Sequence, residues 1–234
     1  MRIDKAIASQ GAFSRKDVKQ LLKSGRVRVN GTCVSDPATQ VDEVSDVIEI
    51  DGQPINFKKH IYIMLNKPKG VVSATDDKVH KTVIDLVPDE LKRNGLFPAG
   101  RLDGDTTGFV LITDDGEFAH NMLSPRHHVE KTYLVTLAEP LTDAMIAKVS
   151  EGIELKDGAI CLPASVEKID DKTAYIRIVE GKYHQIKRMF AAAGNRVVEL
   201  ERTAIGGLQL DKTLALGECR EINDNELHNV FVRS

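Results

Sequence analysis

The sequence is poor in cysteine and has no long apolar run. It contains three cysteines in 234 residues, at positions 33, 161 and 219. Their odd number and wide spacing exclude a disulfide framework and do not match zinc-ligand spacing. No apolar stretch approaches the roughly 18 residues that a membrane span needs, and the first residues lack the apolar core of a secretory signal. The sequence also shows no internal repeat and no low-complexity tract. These absences predict a reduced, cytoplasmic setting away from membranes.

The charge is unevenly distributed, although the whole chain carries a net charge of only −3. Residues 1–31 contain eight Lys or Arg residues and two Asp residues, a net charge of +6 that leaves −9 for the remainder. An ordinary solvated face is one explanation of such a basic segment. The arrangement of the charges favours an anionic partner instead, with nucleic acid as the first candidate.

The basic segment has the pattern of a small folded module. Ser14 can cap a helix over 14–24, and Val18, Leu21 and Leu22 share one face of it while the lysines and arginines lie on the others. Asn30-Gly31 predicts a hairpin turn after a strand over 26–29, and 47–50 reads as a closing strand. We therefore predict a module over 1–50, followed by a turn-rich linker over 51–60.

Residues 61–234 mix helical and strand patterns irregularly, which favours an α+β domain with a mixed, largely antiparallel sheet. Strands are predicted at 61–65, 109–113, 132–137 and 174–179. Helices are predicted at 116–123, 142–150, 183–193 and 225–231.

The segment from Gly100 to Gly108 is the richest in reactive groups. It places Asp103 and Asp105 beside two threonines in a loop with three glycines, at 100, 104 and 108, that allow sharp bends and close approach. An apolar run over 109–112 follows at once. An acid held at the mouth of a strand is a plausible reactive carboxylate, although the loop taken alone is better explained as a solvated turn.

Several separate motifs, in order, resemble the RNA pseudouridine synthases. They are Gly100-Arg101-Leu102-Asp103 with Thr106-Thr107-Gly108, then Lys131-Thr132-Tyr133, and then Gly181-Lys182-Tyr183-His184-Gln185-Ile186-Lys187-Arg188-Met189. The first fifty residues resemble the small alpha-L RNA-binding module shared with a ribosomal protein. The segments 64–68, 73–77, 124–128 and 130–137 are similar to those of the group that acts on small-subunit (16S) ribosomal RNA.

The resemblance implies that uridine is isomerised to pseudouridine without a metal or a cofactor. Asp103 matches the family's catalytic aspartate, Tyr133 the tyrosine that stacks on the extruded uracil, and Lys187 the cation that pairs with the aspartate. Arg101 is a candidate to fill the space that the base vacates or to hold a phosphate. Residues of the same motifs predicted to bind substrate are Thr106, His184, Gln185 and Arg188. Those predicted to bind RNA in the N-terminal module are Arg2, Lys5, Arg15, Lys16, Lys19 and Lys23.

The implied partner is 16S ribosomal RNA, either naked or within a small-subunit assembly intermediate, and a monomer is favoured. Asp105 is interpreted as a loop-capping residue, with a second functional role left open. His127 and His128 are interpreted as exposed loop residues, and Cys161 and Cys219 as packing residues.

Two other functions compete with this one. Asp103-Gly104-Asp105-Thr106-Thr107 fits the nucleophile motif of magnesium-dependent haloacid-dehalogenase-like phosphatases, but that motif should follow a buried strand, and here the apolar run comes after it. A non-catalytic RNA-binding protein that assists ribosome assembly is the second alternative. A calcium-binding loop is discounted because Thr107 stands where a carboxylate or amide ligand is needed and Asp114 where a bidentate glutamate is needed. A phosphate-binding P-loop is excluded because Ile176 occupies the position of the motif's first glycine.

Overall fold

The computed structural model describes residues 1–42, 45–55, 57–124 and 126–232, and the chain divides into two compact units. The first unit comprises Met1–Ile61 with Pro88–Leu96, and the second comprises Tyr62–Val87 with Phe97–Ser234. The sequence pattern did not indicate that 88–96 belongs with the N-terminal residues. The boundaries at residues 50 and 60 stay a prediction, since they rest on turn-forming residues alone.

The first unit contains two helices and a four-stranded antiparallel sheet of order β2-β1-β3-β4. Its elements are α1 (Ile3–Ser9), α2 (Arg15–Lys23), β1 (Val27–Val29), β2 (Thr32–Cys33), β3 (Ile48–Ile50) and β4 (Gln53–Pro54). Asn30 and Gly31 both have positive φ, 51° and 77°, as the predicted hairpin between β1 and β2 requires.

The helix α2 forms for the reasons that its sequence suggests. The Ser14 hydroxyl accepts a hydrogen bond from the Asp17 amide, and the Asp17 carboxylate accepts one from the Ser14 amide, which completes a capping box. Val18, Leu21 and Leu22 are buried in the core of this unit. The predicted helix and its apolar face are therefore confirmed, and the polar face of α2 is left in solvent.

The second unit contains the larger sheet. Its strands are β5 (Tyr62–Lys67), β6 (Phe97–Pro98), β7 (Thr107–Thr113), β8 (Lys131–Leu137), β9 (Ser165–Lys168), β10 (Thr173–Ile178), β11 (Val197–Ile205), β12 (Leu208–Gln209) and β13 (Cys219–Glu221). Its helices are α3 (Gly116–Leu123), α4 (Asp143–Ser150), α5 (Gln185–Ala192) and α6 (Asp224–Leu227). Short 3₁₀ turns cover Ile84–Leu86, Asp89–Leu91 and His228–Phe231, the second of which belongs to the first unit.

The strands of the larger sheet follow the order β13-β5-β7-β11-β8-β10-β9, with β12 beside β11 and β6 beside β7. Among the described strands, β7 and β11 form the parallel pair, and the other pairs are antiparallel. The α+β class with a mixed, largely antiparallel sheet is confirmed. No helix in the described ranges is long and apolar enough to cross a membrane.

The contact between β7 and β11 depends on Gly108. Its φ is +96°, and a Cβ atom at this position would lie 2.3 Å from the Arg202 carbonyl oxygen. Only glycine permits both the backbone conformation and this approach. As a result the loop that ends at Gly108 lies directly beside β11 in the middle of the sheet.

Candidate active site

A buried lysine binds the backbone of the loop that carries Asp103. The Lys67 side chain, at the end of β5, is fully buried. Its Nζ donates hydrogen bonds to the carbonyl oxygens of Asp103 at 3.1 Å, Thr106 at 2.9 Å and Pro68 at 3.0 Å, and it lies 3.4 Å from that of Gly104. Burial lowers the pKa of Lys67 to about 8. Lys67 therefore shapes the loop through its backbone, a role that sequence analysis missed.

Two further contacts define the path of this loop. The Ser73 hydroxyl donates to the Leu102 carbonyl oxygen at 3.1 Å and accepts from the Leu102 amide at 3.0 Å. The Gly70 amide donates to the Gly104 carbonyl oxygen at 2.7 Å. Gly104 lacks a positive φ and has open space around the Cβ position, so its backbone conformation does not require glycine. Gly100 and Gly108 do have positive φ.

Lys187, in the first turn of α5, reaches both carboxylates of the loop. Its Nζ lies 2.5 Å from Asp105 Oδ1 and 3.5 Å from Asp103 Oδ2. This hydrogen bond holds the pKa of Asp105 below its usual range. The ammonium group is thus shared, and Asp105 is the closer partner. Asp105 therefore belongs to the charge network of the site and is more than a residue that shapes the turn.

His184 approaches Asp103 from the other side. It has a left-handed conformation, with φ 48°, immediately before α5. Its Nε2 lies 3.5 Å from Asp103 Oδ1, and its ring stacks on the neighbouring Tyr183 ring at a centroid distance of 3.8 Å. Asp103 is thus flanked by an imidazole and an ammonium group.

Asp103 opens onto a pocket whose floor is the sheet. The pocket has a volume of about 80 Å³. It adjoins a cleft of about 460 Å³ with which it shares Arg101, Asp103 and His184. The pocket is also lined by Thr106, Tyr133, Ile178, Gln185, Ile186 and Leu200. Five polar residues predicted from separate motifs, Arg101, Thr106, Tyr133, His184 and Gln185, thus line one cavity with Asp103.

Gln185 and Arg188 also make structural contacts. The buried Gln185 amide donates to Glu180 Oε1 at 2.7 Å, and its oxygen accepts from the Lys182 amide at 2.9 Å. Arg188 pairs with Asp157 at 2.5 Å and donates to the Tyr183 carbonyl oxygen. Arg188 does not appear among the residues that line the pocket. Substrate contact by Arg188 therefore has no support from its position.

Tyr133 lies on β8 and is 8% exposed. Across the strand pair, the Arg202 guanidinium carbon lies 6.0 Å from the centre of the tyrosine ring. Arg202 Nε donates to the Phe109 carbonyl oxygen at 2.7 Å, while its buried Nη2 and the buried Thr106 hydroxyl have no hydrogen-bond partner among the described residues. Of these residues, Tyr133 and Thr106 line the pocket and Arg202 lies over the tyrosine ring.

Comparison with known proteins shows the family to which this chain belongs. Residues 61–192 match the family described as RNA pseudouridylate synthase, and residues 1–48 match the S4 domain. The chain belongs to the RNA pseudouridylate synthase family. It is therefore an isomerase that converts uridine in RNA to pseudouridine, with an RNA-binding S4 domain at its N-terminus.

Similar proteins span this pseudouridine synthase almost completely. The ribosomal small subunit pseudouridine synthase A of Escherichia coli (strain K12) is 46% identical over 233 residues, which cover 98% of this chain and 100% of the relative. An uncharacterized RNA pseudouridine synthase of Bacillus subtilis (strain 168) is 44% identical over 232 residues and 97% of each chain. A crystal structure of a pseudouridylate synthase has a TM-score of 0.70 and 40% identity, covering 98% of this chain and 99% of that one.

The S4 domain presents most of the predicted RNA-binding residues to solvent. Lys5 on α1 and Arg15, Lys16, Lys19 and Lys23 on α2 are all exposed. Arg2 is also exposed but is paired with Asp4 at 2.9 Å. The exposed side of α2 is therefore a basic surface, here called the α2 basic face and defined by its four cations.

The phosphatase hypothesis finds no support in this pseudouridine synthase. The strand before Asp103, β6, has two residues, and the long buried strand β7 follows the loop instead. Within the described ranges, no group of three or more His, Cys, Asp or Glu side chains is arranged to hold a metal ion. His127 and His128 are exposed and Cys161 is buried, in line with their interpretation as loop and packing residues. Cys219 is half-buried.

Proposed function

We propose that this pseudouridine synthase modifies a uridine of small-subunit (16S) ribosomal RNA and that Asp103 is its catalytic carboxylate. The observation that carries the second part is the pocket itself, where Asp103 stands beside Tyr133 with Lys187 and His184 at its oxygens. The relatives named as ribosomal small subunit enzymes, aligned over nearly the whole chain, support the first part.

The pocket residues fit the task of isomerisation. Asp103 acts on the ribose as nucleophile or proton acceptor, and the shared Lys187 ammonium lies 3.5 Å from its Oδ2. A uridine in folded RNA must be flipped out at a cost of a few kcal/mol, and stacking on Tyr133 offsets part of that cost. Arg101, exposed at the mouth of the pocket, fills the vacated position in the RNA or holds a phosphate.

The α2 basic face is proposed to hold the RNA through its phosphates. Phosphate contacts are the commonest targets of such side chains and position the substrate without reading sequence. The uridine is then selected by RNA shape and by the catalytic pocket. The substrate is free 16S RNA or a small-subunit assembly intermediate.

Mapping pseudouridines in ribosomal RNA tests this proposal. RNA from cells that lack the protein is compared with RNA from the same cells carrying either the wild-type gene or the Asp103→Asn variant. We expect one site in 16S RNA to be lost and to return only with the wild type. Loss of a pseudouridine in large-subunit RNA would contradict the proposed substrate. Restoration of the lost pseudouridine by Asp103→Asn would contradict the catalytic role of Asp103. Purified protein tested on free 16S RNA and on assembly intermediates then identifies the form it uses.

Replacing two cations of the α2 basic face should weaken RNA binding. In Lys19→Ala/Lys23→Ala, two phosphate contacts and their counterion release are lost, so the slope of log affinity against log salt should flatten by up to about two units. Filter binding from low to moderate salt measures this slope. The choice of uridine should be unchanged.

A matched control removes two lysines from the second unit, in Lys148→Ala/Lys156→Ala. Both are exposed, so the total charge changes equally and the slope should remain that of the wild type. An unchanged slope in Lys19→Ala/Lys23→Ala would show that α2 does not face RNA. Modification of a different uridine would show that the S4 domain sets the register.

A further inference from the structure

Lys131 is a buried cation on the face of β8 that also carries Tyr133, and it lies beside the residues that line the pocket rather than among them. It is 9% exposed and lies two residues before Tyr133 on β8, so both side chains project from the same face. Its cross-strand neighbours are Ile178 on β10, which lines the pocket, and Ile205 on β11. Lys131 has no ion-pair or hydrogen-bond partner among the described residues. This is an unusual state for a buried lysine.

The charged group that acts on Lys131 is itself a cation. Arg202 lies opposite Tyr133 on β11, and together with burial its positive charge lowers the pKa of Lys131 to about 8. The residues directly opposite Lys131 on β10 and β11 are apolar. Arg202 has one carbonyl partner and an unpaired Nη2. We call Lys131 and Arg202 the buried cation pair.

The charges around the pocket are therefore unbalanced. Within the described ranges neither Lys131 nor Arg202 forms an ion pair with a carboxylate, whereas Asp103 and Asp105 both pair with Lys187. Burying unpaired positive charge is costly, and a Met at position 131 would fill similar space without that cost. An arrangement that sacrifices stability in this way is typical of a functional site.

The isomerisation itself forms an anion, the detached uracil, that can interact with these two cations. Isomerisation breaks the C1′–N1 bond and forms a C1′–C5 bond. The electron pair of the first bond leaves with the base, while the Asp103 carboxylate bonds the ribose or takes a proton from it. When the C1′–C5 bond forms, the bond to Asp103 breaks, or the proton returns from Asp103 to the ribose. The detached uracil is an anion until C5 bonds the ribose. C5 then loses its proton and N1 gains one, so atoms and charge balance.

We propose that the buried cation pair stabilises the detached uracil anion through its positive charge, with Lys131 supplying the larger share. The inference rests on the proposed function, because it requires a uracil held at Tyr133 and attacked from Asp103. A preorganised positive charge in a water-poor site is most effective where the negative charge develops only during reaction. Lys131 should therefore affect the rate of the chemical step and leave RNA affinity unchanged.

Single-turnover rates of Lys131→Met test this inference. The probe is a 16S RNA transcript carrying tritium at uracil C5, since isomerisation releases that hydrogen. We expect the rate constant to fall about a hundredfold, while RNA affinity stays within about twofold of the wild type and thermal stability at pH 7 does not decrease. Lys148→Met, at an exposed position of α4, is the matched control and should react at the wild-type rate.

The pH dependence separates an electrostatic role from a packing role. The protonated amine is the active form, so the wild-type rate should fall by about tenfold per pH unit above the pKa of Lys131. Lys131→Arg keeps the charge at all these pH values, and its rate should recover most of the loss and stay level. Lys67 also has a pKa near 8, but an alkaline fall that it causes would persist in Lys131→Arg.

A Lys131→Met rate within about threefold of the wild type would overturn the inference, as would an alkaline fall that is as steep in Lys131→Arg as in the wild type. If Lys131→Met does not fold, the comparison of wild type and Lys131→Arg across pH decides alone. Failure of the proposed function is distinct from either result, since the wild-type protein would then release no tritium from this RNA.

Discussion

Asp103→Asn is expected to abolish pseudouridine formation, with a loss of at least about a thousandfold. The amide has nearly the same shape as the carboxylate but is neither a nucleophile nor a base. The backbone of the loop is held by Lys67 and Ser73 through carbonyl and amide groups, so the fold should survive this change. Tritium release under single-turnover conditions measures the loss, and filter binding should give an RNA affinity close to that of the wild type.

The chain provides a matched control two residues away. Asp105→Asn removes the same charge from the same loop and breaks the 2.5 Å pair with Lys187. Lys187 then has Asp103 as its remaining carboxylate partner, and we expect the rate to stay within about tenfold of the wild type. Retention of a tenth of normal turnover by Asp103→Asn, about 1.4 kcal/mol of barrier, would show that Asp103 is not the catalytic group. A larger loss of rate in Asp105→Asn than in Asp103→Asn would show that Asp105, and not Asp103, is the catalytic carboxylate.

Lys67→Met should produce the second large effect, although Lys67 does not line the pocket. Removing the ammonium group leaves the buried carbonyl oxygens of Pro68, Asp103 and Thr106 without their donor. We expect a fall of about 2 kcal/mol in the free energy of unfolding, because unsatisfied buried acceptors cost about 1–3 kcal/mol each and the relieved burial of charge offsets part of this. We also expect a loss of about a hundredfold in rate, because a displacement of about 1 Å in a catalytic group has that effect.

Urea denaturation and single-turnover kinetics measure the two effects of Lys67→Met. Lys69→Met is the control for stability, since it removes the same charge two residues along from a half-exposed side chain that pairs with Glu199. Its free energy of unfolding should change by less than about 1 kcal/mol. A Lys67→Met protein with wild-type kinetics would show that the loop holds Asp103 in place without this lysine.

The N-terminal unit shows which structural elements can be predicted from local sequence patterns. The capping box at Ser14, the spacing of Val18, Leu21 and Leu22, and the Asn30-Gly31 turn act over a few residues, and the structure confirms each of them. The helix α1 was missed although Ile3, Ala6 and Ile7 have helical spacing, since it is only seven residues long and Arg2 offers no side-chain cap.

The strand β11 was missed for a different reason. Its sequence, Val197–Ile205, places Glu199, Glu201 and Arg202 within a strand in the middle of the sheet. Charged residues are depleted in strands, so the segment lacks the apolar pattern of a central strand. It pairs with β7 and β8 because Gly108 permits close approach and because Arg202 finds the Phe109 carbonyl oxygen. Both are long-range contacts that no local pattern reveals.

The candidate site divides in the same way. Asp103, Tyr133, Lys187 and His184 were predicted because the motifs that contain them resemble those of the RNA pseudouridine synthases. The sharing of Lys187 between Asp103 and Asp105, the support of the loop by Lys67, and the unpaired Nη2 of Arg202 were not predictable. Local patterns specify which groups are present, because capping, periodicity and turn chemistry act between near neighbours. Tertiary structure decides which of those groups are buried, paired or left without a partner, because burial and ion pairing depend on residues that are distant in the chain.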